Sequence, residues 1–219
     1  MNQNIQKKIQ IQKMKRKNIE IRSLQTELQA GEGRLISGLA IPVNSKSQLL
    51  YDKDKNGKEI WFYETITPLA VNESLIQNND VQIFLNHDEH QGTFARSKYG
   101  VGTLHLEITE RGLEFSFEAP NTVNGDILIE GIKRGDYDAV SFAFVSNPKK
   151  EIIEPNEEDA GTFNRTINEI VWLGEISILS CQPSYEETNV NVRSIDEYLE
   201  TKRNSILSTL DEKMKEFED

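Results

Sequence analysis

The sequence predicts an α+β domain dominated by strands: a β-rich mixed or barrel-like sheet, one helix ahead of a late strand, and a C-terminal helix. Three observations predict it. Apolar and polar residues alternate in short runs through most of the chain, beginning with IEIRSLQTEL at 19–28, and a period of two belongs to a half-buried strand. Turn-forming groups such as Asn56-Gly57 and Glu110-Arg111-Gly112 separate these runs. Helical spacing is confined to 127–136 and to the stretch after Ser194.

Residues 1–18, MNQNIQKKIQIQKMKRKN, are rich in Gln and Lys with only scattered Ile and Met, so a basic flexible extension is expected. Met14, ahead of KRKN, offers an alternative start. RLISGLAIPV at 34–43 reads as a strand ended by Pro42. LLYDKDKNGKEIWFYETI at 49–66 reads as a hairpin. Its turn also begins like a calcium loop, with Asp52, Asp54, Asn56 and Gly57 at the right spacing. The twelfth position, which takes a bidentate Glu, holds Tyr63, and the flanks are strands, so a plain turn is preferred. NNDVQIFLNHD at 78–88 reads as a strand entering a loop, and VGTLHLEITERGLEFSFEAP at 101–120 as two strands.

ILIEGIKRGD at 127–136 is the helix of the body. Asp126 is placed to cap it, Leu128, Ile129 and Ile132 share one side, and Gly135 stops it. YDAVSFAFV at 137–145 and INEIVWLGEISIL at 167–179 return to strand texture, and the polar residues 146–166 between them are expected to form a long loop or loose hairpin. Ser194 and Glu197 fit a capping box for the last helix, on which Ile195, Leu199, Ile206 and Leu210 can share a face. The expected division is an extension at 1–18, a domain of about eight or nine strands at 19–193, and a C-terminal helix at 194–219.

A hydrophobic fraction of 37 % suffices for one sizeable core. No run of about 18 apolar residues is present, and the N-terminus lacks the apolar segment of a signal peptide. With a single cysteine, Cys181, placed after the apolar run ISILS, these features point to a cytoplasmic setting, no membrane association, and a Cys that serves as a small buried hydrophobe. Charge is segregated. Residues 1–34 hold eight Lys or Arg and three Glu, a net +5, which leaves −16 for the remainder of a chain at −11. An acidic body argues against nucleic acid as a partner, and the basic arm suits an acidic partner or its own body.

Two of the three histidines fall in FLNHDEHQG at 84–92. His87 and His90 would share a face only on a helix, and no Cys or third His stands at zinc spacing, so no metal is expected. His105, in TLHLEI, faces the same way as Thr103 and Glu107 and is expected to face solvent. Ser141, in VSFAFV, has a small neighbour on its own face, Ala143. A strand serine is usually structural. One that acts as a nucleophile needs a base within hydrogen-bond reach and a third group to orient that base.

From about Ile19 to Arg193 the chain resembles the prohead, or capsid maturation, serine proteases of tailed phages, a family distantly related to the herpesvirus assemblins. Six segments carry the resemblance in order: IEIRSLQTEL with GRLISGLAIPVN, WFYETITPLAV, FLNHD, GTLHLEITERGLEFSFEAPNT, IKRGDYDAVSFAFV, and LGEISILSCQPSYEETNVNVRS. GTFARS and CQPSY depart from the family pattern, although Arg96 can stand for its usual basic residue. These departures touch substrate preference more than chemistry.

The resemblance implies a serine endopeptidase with His87 as general base and Ser141 as nucleophile, which makes YDAVSFAFV the nucleophile strand. It points to Glu175 as the third member, with Asp88 as the rival. Arg134 and Gly135, just before the serine strand, are candidates to lie near an oxyanion site, set against a plain helix-end role for Arg134. The resemblance implies no cofactor. It implies the major capsid protein and a scaffold protein as partners, homo-oligomerisation, and action in the host cytoplasm inside the phage procapsid, with self-cleavage in the terminal extensions. The alternative is a non-catalytic capsid-assembly or scaffolding protein on the same fold.

Overall fold

The computed structural model describes residues 19–180 apart from 27, 32, 54 and 55. The N-terminal extension, Cys181 and the expected C-terminal helix lie outside the described residues. Among the described residues, fourteen strands form three sheets. The first runs β1 (Glu20–Gln25), β11 (Ala139–Ser146), β14 (Ile170–Leu179), β6 (Asp80–Leu85), β7 (Ala95–Lys98), β8 (Val101–Gly102). The second runs β2 (Gln29–Ala30), β3 (Leu35–Pro42), β10 (Gly112–Glu118), β9 (Leu104–Thr109). The third runs β12 (Glu151–Pro155), β13 (Thr162–Ile167), β5 (Glu59–Ile66), β4 (Leu50–Lys53).

The fold is thus β-rich and α+β, as the sequence pattern implies, and the sheets are mixed: β14 pairs parallel with β6 and β13 with β5, while the other pairs are antiparallel. The described strands do not close into a barrel, because β1 and β8 remain edges of the first sheet. Strands outnumber the expected eight or nine because long apolar runs break where the chain changes sheet. INEIVWLGEISIL, for example, divides at Asn168-Glu169 between β13 of the third sheet and β14 of the first. Residues 146–166 are the hairpin alternative, with β12 paired antiparallel to β13. The 49–66 segment is a hairpin as expected, with Lys53 opposite Glu59.

Two helices are present among the described residues. The short α1 (Glu73–Gln77), which no sequence signal announces, is capped by Asn72, whose side chain accepts the Leu75 N–H. Helix α2 (Val123–Arg134) starts four residues before the expected 127, and its cap is Thr122, not Asp126. Asp126 lies in the first turn and pairs with Arg34 at 2.7 Å. Gly125 obscures that start in the sequence. It is required because a Cβ there would stand 2.0 Å from the Pro120 carbonyl oxygen. The other end follows the sequence, with Gly135 left-handed at φ 77°, and Leu128, Ile129 and Ile132 are buried. Neither helix is long and apolar enough to cross a membrane.

Alternation along β11 sets the direction of its serine. Val140, Phe142 and Phe144 enter the main core with Ile36, Leu113 and Ile176, each such side chain contributing roughly 1.5–3 kcal/mol. Ser141 and Ala143 therefore face the opposite side of the sheet. The core face also carries a buried ionic cluster. Arg22 of β1 forks onto Glu64 of β5 at 2.8 and 2.7 Å and reaches Glu20 at 2.8 Å. Arg165 of β13 binds Glu20, Glu64 and Glu151, and Ser146 donates to Glu20 at 2.8 Å. The cluster ties the first sheet to the third.

Candidate active site

The chain leaves β6 through a tight turn that carries His87. Asn86 and His87 have φ of 55° and 58°, and Asp88 N–H donates to Leu85 C=O at 3.0 Å, the pattern of a type I′ turn. Asn tolerates that conformation. His, like Asn, enters it more readily than most residues, and non-glycine residues held in this region collect at functional sites. Asn86 fastens the turn to the end of β14. Its main-chain N–H donates to Ile178 C=O, its amide donates to Ser180 Oγ at 2.7 Å, and its carbonyl oxygen accepts the Ser180 N–H at 2.9 Å.

Because β14 runs parallel to and beside β6, with Glu175 opposite Gln82, the His87 turn at the end of β6 lies next to the later half of β14. His87 Nδ1 lies 2.5 Å from Glu175 Oε1, although 88 residues separate them. Burial pushes the Glu175 carboxyl up, but hydrogen bonds from His87 and Ser177 and the charge of His87 outweigh it and hold the group below its usual value. The His87 side chain remains 32 % exposed. An ion pair at that exposure contributes only about 0–1 kcal/mol to stability, too little by itself to account for a strained turn built to hold it.

Ser177, which no motif in the sequence singles out, completes this cluster: its hydroxyl donates to Glu175 Oε1 at 2.6 Å and accepts the His87 main-chain N–H at 3.2 Å. The one sequence signal for it is that it stands two residues after Glu175, hence on the same face of β14. Ser141 is the antiparallel partner of Ser177, so their side chains share that face. Ser141 is fully buried, and its Oγ has no hydrogen-bond partner among the described residues. Leaving such a hydroxyl unpaired costs about 1–3 kcal/mol.

The structure thus brings His87 and Glu175 into contact and places Ser141 one strand away, across from Ser177. Asp88 does not turn to His87: its carboxylate accepts from His90 N–H and Gln91 Nε2, each at 2.9 Å, and so caps the 3₁₀ turn Glu89–Gln91. His90 and His105 are exposed. Arg134 has the helix-end role, its Nε 3.1 Å from Asp136 Oδ2. Gly135 borders a cleft of about 570 Å³ with Gln25, Leu28, Ile132, Tyr137 and Asp138. That cleft opens beyond Ala139, which pairs with Gln25. Among the described residues, no group of three or more His, Cys, Asp or Glu is placed to hold a metal ion.

An imidazole whose Nδ1 is engaged by a carboxylate keeps Nε2 for proton transfer, and an uncommitted serine hydroxyl stands on the neighbouring strand. Such a site can support acyl transfer through a serine, the chemistry of a serine hydrolase. The family model of the caudovirus prohead serine proteases matches residues 12–201. The chain belongs to that family, a serine peptidase family of capsid maturation. Comparison with curated proteins and with solved structures gives no match.

Proposed function

We propose that the chain is the endopeptidase that trims scaffold or coat-protein segments inside the procapsid, and its own terminal extensions, with Ser141 as nucleophile, His87 as general base and Glu175 as the group that orients His87. The contact of His87 Nδ1 with Glu175 Oε1 carries this reading. With Nδ1–H donated to the carboxylate, Nε2 takes the Ser141 proton as Oγ attacks the peptide carbonyl. The same nitrogen then returns the proton to the leaving amine. Ser141 meets Nε2 in the substrate complex, since catalytic hydrogen bonds are often completed only there. The substrate chain passes over β11 towards the cleft at Gln25 and Tyr137, which shares the edge of the β1–β11 pair. Major capsid and scaffold proteins are the proposed partners, and a homo-oligomer the proposed assembly.

Intact-mass spectrometry tests the reading on wild type and Ser141→Ala, each co-expressed with the coat or scaffold protein encoded nearby. Wild type is expected to trim its partner or its own termini, and Ser141→Ala to leave both whole. Equal trimming by the two would remove Ser141 from the mechanism.

A further inference from the structure

The two serines that face each other across β11 and β14 are in opposite hydrogen-bonding states. Ser141 has no partner among the described residues, whereas Ser177 is fully engaged. A hydroxyl has one hydrogen to give. That of Ser177 goes to Glu175 Oε1, and its lone pair receives the His87 main-chain N–H. Glu175 Oε1 also meets the His87 ring at Nδ1. The result is a closed circuit: His87 backbone, Ser177 hydroxyl, Glu175 carboxylate, His87 imidazole. A carboxylate held below its ordinary pKa is a poor base for the Ser177 proton, so the circuit suits support better than attack. Charged groups on or beside this face include Lys98, which stands opposite Asp80, and Arg96, Asp80 and Asp88, which have partners. Arg96 forks onto Asp80 at 2.7 and 2.5 Å, and Asp88 caps its own turn.

We infer that Ser177 is a positioning residue of the acyl-transfer site: it locks the His87 turn and the Glu175 carboxylate into one geometry, which fixes the tautomer and angle of the imidazole. This inference rests on the roles proposed above for Ser141, His87 and Glu175.

The test uses the full chain and a fluorophosphonate probe, whose phosphorus bonds to a serine oxygen as fluoride leaves. The limiting rate kinact and the binding constant KI are measured separately between about pH 5 and 9 for wild type, Ser177→Ala, Ser177→Cys and Ser141→Ala. Ser177→Ala is expected to lower kinact by about 10–100-fold, the scale of a small misplacement. KI should stay within about twofold, the acid limb of the pH profile should move, and the adduct should remain on Ser141. Ser177→Cys, nearly the same shape with a weaker donor, should fall between, and it carries the test if Ser177→Ala does not fold. Unchanged rate and profile, an adduct on Ser177, or losses in both variants that merely track their unfolding temperatures would overturn the positioning role. Full labelling of Ser141→Ala would instead overturn the nucleophile assignment, a failure distinct from that of Ser177.

Discussion

Arg22 and Ser23 are neighbours in β1, yet they face two different polar environments. Arg22 points to the core side, where five charged side chains are almost wholly buried and paired with one another. Ser23 points the other way, opposite Ser141, on the face that carries Ser177 and the solvent-touching Glu175. The first cluster is saturated, with Glu20, Glu64 and Glu151 each held by a guanidinium. The second holds a strained histidine and an orphan hydroxyl. The two clusters show where each kind of polar group belongs. Deep charges are tolerable only when completely paired, and they then fix how the sheets meet. Reactive groups must stay under-satisfied, so they sit where the structure is stable without them.

Injuring each cluster once should separate their roles. Arg165→Met leaves three carboxylates short of a partner and should cost about 3–5 kcal/mol of stability. Activity per folded molecule should be retained. Glu175→Gln should do the reverse, cutting the rate of serine modification by about 10²–10⁴-fold while changing stability by less than about 1 kcal/mol. Denaturant unfolding and fluorophosphonate labelling, run on both variants, check the pair. A Glu175→Gln protein as unstable as Arg165→Met would mean that the His87–Glu175 cluster is structural too.

The two clusters are unequally legible in the sequence. Alternation locates β1, β3, β10 and β11, and Gly135 marks the end of α2, because those signals are local. Arg165 is hidden: it falls in the polar 146–166 segment, which reads as a long loop or loose hairpin, yet it is 1 % exposed. Its compensating carboxylates arrive from β1, β5 and β12, and no local pattern announces such a meeting. In the sequence, His87 and Glu175 are paired only through family resemblance, since their contact depends on β6 and β14 running parallel. Ser177 looks like filler in an apolar strand. Only the cross-strand register, with Ser141 opposite and His87 at the strand end, gives it a role.

Acid offers a graded way to weaken the buried cluster. Burial pushes the Glu20 carboxyl up, but Arg165 and Arg22, with a hydrogen bond from Ser146, outweigh burial and hold it at about 2 against an ordinary 4.5. A carboxyl depressed in the folded state takes up its proton more readily when unfolded. Its stabilisation is therefore complete above about pH 4.5 and is lost as pH falls towards 2. The gap amounts to about 3 kcal/mol. Unfolding free energies measured across this window should fall more steeply for wild type than for Glu20→Gln, and parallel slopes would show that other carboxylates dominate acid unfolding.

The His87–Glu175 cluster has a second carboxylate close by. Asp88 adjoins His87 in sequence and is the obvious rival to Glu175, but its oxygens are committed to His90 N–H and Gln91 Nε2. Asn can keep the acceptor that caps the 3₁₀ turn, so Asp88→Asn should leave stability essentially unchanged and labelling within about threefold of wild type. If Asp88 oriented the imidazole instead, the same substitution would remove the charge that stabilises the imidazolium, and the rate would drop by orders of magnitude as for Glu175→Gln. Labelling rates of the two variants side by side therefore decide which carboxylate serves His87.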